Sequence, residues 1–222
     1  MRLERPAICL VTDRRRLVDG AASFEAARAA LVALARDAAA AGISLIQIRE
    51  RDLEAAQLAD LVAAVVEATR GSSTRVVVND RLDVALTSGA DGVHLRGDSM
   101  SPREARAIAP ARFLIGRSVH SLEEAKRGAE SADYLIAGTM FSTASKPSAT
   151  RTLAPNELRE IVTAVGVPVL AIGGITVDRV ADLARAGAAG IAAIGLFVPG
   201  GARLPQVVES VRSQFDSARA AS

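Results

Sequence analysis

Apolar residues in this chain come in short runs at near-regular intervals, each followed by a polar junction and then an amphipathic stretch. Eight runs read as strands, at residues 7–11, 45–48, 75–78, 92–95, 113–115, 134–137, 167–172 and 190–194. They are almost continuously apolar rather than alternating, the pattern of strands covered on both faces. Between them the period changes to that of a helix. Phe24, Leu31 and Leu34 line one face of the first helical stretch, which Gly42 ends, and Leu58, Leu61, Val62 and Val65 show i, i+3, i+4, i+7 spacing in the second. Ser101–Glu104 and Ser121–Glu124 each predict a capping box.

Eight strand–helix units with short connections predict an α/β fold, a single (β/α)8 TIM barrel occupying residues 1–222 as one domain. A doubly wound open sheet is the competing arrangement, but no glycine-rich turn follows the first strand.

Composition narrows the function. Of 222 residues half are hydrophobic, yet no apolar run is long enough to cross a bilayer, so no membrane partner is expected. The formal net charge is +2, with one tyrosine and no tryptophan, which argues against nucleic acid. Cys9 is the single cysteine, so neither a disulfide framework nor a thiolate zinc site is available, and a cytoplasmic setting is expected. A homodimer remains open.

In a barrel of this kind the chemistry collects where strands run into helices. Gly173-Gly174 and Gly195, after the seventh and eighth strands, either admit a phosphate to bare backbone or only make tight turns. Gln47 and Arg49 alternate with Ile48 and share one side of their strand: they enter the lumen to hold an anion, or the run Arg49-Glu50-Arg51 merely pairs charges. Asp80 either holds Mg2+, with Asp98, or caps the helix beginning near Arg81. Residues 139–146, rich in hydroxyls and carrying Lys146, read as an anion-binding lid or a plain loop. His120, one of two histidines, sits ahead of the N-cap Ser121, a position for an acid or base; His94, within a strand, reads as structural.

Gln47-Ile48-Arg49-Glu50-Arg51, Asn79-Asp80-Arg81, Gly92-Val93-His94-Leu95, the run from Ile115 to Ala125, and Ala171-Ile172-Gly173-Gly174-Ile175 occur in order. Together they make the chain resemble the thiamine phosphate synthase superfamily, which includes a thiazole tautomerase (TenI-like) branch. For a synthase, the resemblance implies that Gln47, Arg49, Arg51, Asn79, Thr143, Ser145 and Lys146 hold a pyrimidine diphosphate. It also implies Mg2+ on Asp80, with thiazole phosphate on the Gly173-Gly174 loop. For a tautomerase it implies no metal, and His120 as acid/base on a carboxythiazole phosphate. Ser99 stands where synthases carry a second metal-binding aspartate, Gly195 where they carry serine, Arg51 for lysine and Ser145 for threonine. Because Gly116-Arg117-Ser118-Val119-His120 looks like the tautomerase form, tautomerase is the expected activity, with Ser118 among the substrate-binding residues. Synthase is the alternative, and a non-catalytic sensor of a thiamine-pathway phosphate a third.

Overall fold

The computed structural model describes residues 3, 5–20, 22–142, 151–198 and 201–220. Eight parallel strands close into a barrel in sequence order: β1 (Ala7–Val11), β2 (Leu45–Ile48), β3 (Arg75–Asn79), β4 (Gly92–Leu95), β5 (Leu114–Val119), β6 (Tyr134–Gly138), β7 (Val169–Ile172) and β8 (Gly190–Ala193). Pairing of β1 with β8, Ala7 opposite Gly190, completes the circle. The predicted (β/α)8 barrel is thus the fold. Among the described residues eight α-helices surround it: α1 (Phe24–Ala40), α2 (Ala55–Ala68), α3 (Leu82–Thr87), α4 (Pro102–Ile108), α5 (Leu122–Ala129), α6 (Pro155–Ala164), α7 (Val180–Arg185) and α8 (Leu204–Ala220). Among the described residues no helix is long and apolar enough to cross a membrane.

Two apolar cores follow from the strand period of two. Outward-facing residues such as Ile46, Ile48, Val76 and Val78 pack under the helices, where the α2 stripe Leu58, Leu61, Val62 and Val65 is buried. Inward-facing residues, among them Cys9, Leu45, Val77, Leu114, Tyr134 and Leu170, fill the lower lumen. Burial there pushes the Cys9 thiol above its ordinary range, leaving it inert. The Ser101–Glu104 capping box forms as predicted.

The fifth strand departs from expectation. It runs to Val119, three residues past Gly116, so Arg117 and Ser118 lie within it rather than in a junction. Both polar side chains are satisfied. Ser118 points inward to His94, and Arg117 crosses to the turn after β4, donating to the carbonyls of Gly97 at 2.9 Å and Met100 at 2.8 Å.

Candidate active site

Towards the C-terminal ends of the strands the inward positions turn polar. Two residues after Leu45 comes Gln47, and two after that Arg49; two after Val77 comes Asn79; two after Gly92 comes His94; two after Gly116 comes Ser118. These side chains line a cleft of about 1090 Å3 that Arg51, Asp98, His120, Gly173, Gly174 and Gly195 also face. The expected candidates therefore converge on one cleft, except Asp80, which does not line it, and Thr143, Ser145 and Lys146, which lie outside the described residues.

The floor is a hydrogen-bonded layer. Gln47 Nε2 donates to Asn79 Oδ1 at 3.0 Å. His94, 1% exposed, has Nε2 2.9 Å from Ser118 Oγ and Nδ1 3.2 Å from the Tyr134 hydroxyl. Burial, with the Arg117 charge acting the same way and Asp80 opposing, holds its pKa down at about 3, so the imidazole is neutral. A Cβ on Gly116 would overlap the Tyr134 ring and stand 2.5 Å from His94 Nδ1, so only glycine leaves room for this pair. His94 lines the cleft with both ring nitrogens engaged, by Ser118 and Tyr134.

Glu50 corrects the picture of a run of mutually paired charges. It is buried on the outer side of the barrel, where its Oε2 meets Arg14 Nη1 at 2.9 Å and its Oε1 accepts from Thr12 Oγ1 at 2.6 Å. Thr12 Oγ1 in turn accepts the Arg49 N–H at 2.9 Å. With Glu50 occupied, Arg49 and Arg51 are left facing the cleft. Burial first, then the Arg51 charge, lowers the Arg49 pKa, Asp13 and Glu50 opposing, with a smaller push from Arg96. A cluster of like charges in a partly desolvated cleft is relieved by an anion.

Further cations line the same cleft beside the glycines after β7 and β8. Gly173 and Gly174 adopt φ values of 106° and 61°, the left-handed region, and a Cβ on Gly174 would sit 2.8 Å from atoms of Phe141 and Ser142. Arg179, from the turn ahead of α7, donates to the Gly174 carbonyl at 2.9 Å and stacks over Phe141 with 4.5 Å from Cζ to the ring centroid. Gly195 leaves space in front of Arg16, whose Nη1 would lie 3.6 Å from any Cβ there. Arg16 is held by Asp13 at 3.0 Å.

His120 stands exposed just past β5. Its Nδ1 is hydrogen-bonded to the Gly138 carbonyl, which only accepts, so Nδ1 carries the proton. The predicted capping box at α5 forms by half. Ser121 Oγ accepts from the Glu124 N–H at 3.2 Å, but Glu124 reaches one residue further back, accepting the His120 N–H at 2.7 Å.

The Mg2+ that only the synthase alternative implies meets a poor donor set. Asp80, at φ 65°, makes no cap for α3. Its carboxylate accepts the Arg96 N–H at 3.4 Å and lies 3.7 Å from Arg96 Nη1, while Asp98 pairs with Arg96 Nη2. Ser99 Oγ donates to the Arg96 carbonyl at 3.1 Å. Both carboxylates assigned to Mg2+ thus hold a guanidinium, and among the described residues no three His, Cys, Asp or Glu side chains converge as metal ligands. Arranged so, these residues do not fit a resident Mg2+. Sequence reasoning gave no role to Arg16, Arg96 and Arg179. Only proximity to the junctions marked them, since arginines off the strands carry no periodic signal.

The family model described as "Thiamine monophosphate synthase" matches residues 9–197. A relative named thiamine-phosphate synthase from Methanoculleus marisnigri is 43% identical over 188 residues, covering 84% of this chain and 89% of that one. Another with that name, from Roseiflexus castenholzii, is 38% identical, covering 87% and 82%. The solved structure of thiamine phosphate pyrophosphorylase from Pyrococcus furiosus superposes with a TM-score of 0.79 at 33% identity, covering 96% of each chain. These relatives overturn the expected tautomerase activity, and with it the reason for giving His120 the acid/base role and for expecting no cofactor on that ground. The guanidiniums at the second and fourth junctions suit a diphosphate, a group that tautomerisation does not use.

Proposed function

Because this chain belongs to the thiamine monophosphate synthase family, we propose that it is a transferase that couples hydroxymethylpyrimidine diphosphate to a thiazole phosphate, releasing pyrophosphate. One observation carries the reading: arginines line the cleft from two sets of strand ends, Arg49, Arg51 and Arg96 after β2 and β4, and Arg16 and Arg179 beside the glycines after β7 and β8. Two anionic substrates bound at once need two such sets.

The diphosphate enters the first cluster, where guanidiniums offer paired N–H donors to phosphate oxygens. Its pyrimidine descends to the polar floor. Gln47 Oε1, buried there with no partner among the described residues, accepts from the ring's amino group. The thiazole phosphate lies against the backbone of Gly173, Gly174 and Gly195, with Arg16 and Arg179 behind it. The thiazole ring nitrogen then gives its lone pair to the pyrimidine methylene carbon, forming a C–N bond as the C–O bond to diphosphate breaks. The bonding pair leaves on pyrophosphate, whose charge the arginines stabilise. The residues' contribution is to hold two reactants in line and to neutralise the leaving group.

Incubating the purified chain with both substrates and following thiamine phosphate by mass and pyrophosphate by release tests this reading. Equal amounts of the two products are expected, and neither product in the absence of the thiazole.

A further inference from the structure

Asp80, which the resemblance assigns to a divalent cation, and Asp98, the nearby carboxylate that could join it, are both engaged by the chain's own Arg96. The side chain is 41% exposed and reaches the cleft wall with one terminal nitrogen on Asp80 and the other on Asp98. Its backbone N–H is bonded to Asp80 as well, at 3.4 Å, and its carbonyl accepts from the Ser99 N–H at 3.2 Å. The turn that carries it is braced from β5: Arg117 binds the carbonyls of Gly97 and Met100. Arg96 is therefore ion-paired at its guanidinium and hydrogen-bonded at its backbone. At position 99 the side chain is a serine engaged with backbone, so no further carboxylate from this turn competes for a metal.

We propose that Arg96 takes the place of the divalent cation in this chain, meeting the diphosphate directly from its seat between Asp80 and Asp98. The inference rests on the synthase reading for the identity of the diphosphate. A guanidinium has five N–H donors in a planar fork, and two carboxylates leave donors over for phosphate oxygens. The cleft is lined by Arg16, Arg49, Arg51, Arg96 and Arg179 against Asp13, Asp98 and Glu124, so even with Asp80 against Arg96 it stays net cationic and attractive to an anion without a metal. The carboxylates' task becomes orientation of the guanidinium.

Calorimetric titration with inorganic pyrophosphate, in EDTA and again in Mg2+, tests the assignment on the intact chain, Arg96→Gln and Arg96→Lys. Wild type is expected to bind pyrophosphate in EDTA, with affinity raised less than about threefold by Mg2+. Arg96→Gln should lose about tenfold or more in EDTA, the size expected for a lost charged hydrogen bond, and should gain a Mg2+ requirement as Asp80 and Asp98 are freed. Arg96→Lys, a point charge without the fork, should fall between them. Mg2+ titrated alone should give heat with Arg96→Gln and none with wild type. Wild-type binding seen only with Mg2+, or unchanged binding by Arg96→Gln in EDTA, overturns the assignment. If thiamine phosphate forms but only with Mg2+, the synthase reading stands and the role of Arg96 falls. If pyrophosphate binding is metal-free and Arg96-dependent while no thiamine phosphate forms, Arg96 stands and the substrate reading falls.

Discussion

Gln47 on β2 donates its amide N–H to Asn79 Oδ1 on β3 at 3.0 Å, and the other end of the same amide, Oε1, is buried at the cleft floor with no partner among the described residues. A buried acceptor without a donor costs about 1–3 kcal/mol, which a ligand N–H recovers on binding. Gln47→Met removes that acceptor but also leaves Asn79 Oδ1 without its donor. These effects offset, so stability should change by less than about 1 kcal/mol. The Michaelis constant for the pyrimidine diphosphate should rise about tenfold. Steady-state kinetics beside a denaturant melt separates the two; an unchanged Michaelis constant contradicts the role.

Arg14 is the partner that makes Glu50 tolerable on the outer side of the barrel. Arg14→Met leaves the buried Glu50 charge without its counter-ion, with only the Thr12 hydroxyl and the backbone N–H of residue 14 on it, a change that costs about 3 kcal/mol. Urea unfolding should show the full loss, and Arg14→Met with Glu50→Gln should recover part of it. No recovery in the double variant would mean that the packing of Arg14, not the charge pair, matters.

His94 makes the fold acid-sensitive. An unfolded histidine titrates near 6.5, whereas burial holds this one at about 3. Between those values the unfolded state binds a proton that the folded state refuses, so stability falls as pH drops from about 6.5 towards 3 and is unaffected by this group above that window. The slope approaches about 1.4 kcal/mol per pH unit. Melting temperatures at pH 7 and pH 5 should differ more in wild type than in His94→Asn; equal differences would rule the histidine out as the cause.

His120 has no proton to move in the proposed transfer, since the thiazole nitrogen attacks with a free lone pair and pyrophosphate leaves as an anion. His120→Ala removes only the bonds to the Gly138 carbonyl and a part of the cleft rim. Thiamine phosphate formation should fall by less than about tenfold, below the range typical of a lost acid or base. A loss beyond a hundredfold would require a proton transfer that this account lacks.

The barrel was legible because strand runs covered on both faces and helical stripes differ in period, and because Gln47 and Arg49 alternate with an apolar Ile48 that faces the helices. What hydropathy could not reveal was polar residues inside a strand. Arg117 and Ser118 looked like a junction because their partners, the carbonyls after β4 and His94, are remote in sequence. Glu50 looked like a loop charge because Arg14, 36 residues earlier, is invisible to local pairing. Asp80 and Asp98 look available to a cation, as the synthase alternative would have them, for the same reason: the guanidinium between them belongs to a residue that carries no pattern. The choice of tautomerase failed on a different ground. It set one junction against the rest, where the whole-chain relatives weigh all of them.

The central claim is that this cleft joins two phosphorylated heterocycles. The direct test mixes the purified chain with hydroxymethylpyrimidine diphosphate and thiazole phosphate, with EDTA and with Mg2+, and measures thiamine phosphate and pyrophosphate together. Stoichiometric appearance of both, lost by about a hundredfold when Arg49 is replaced by alanine, is the predicted result. Absence of thiamine phosphate under both conditions, from protein that melts cooperatively, would contradict it.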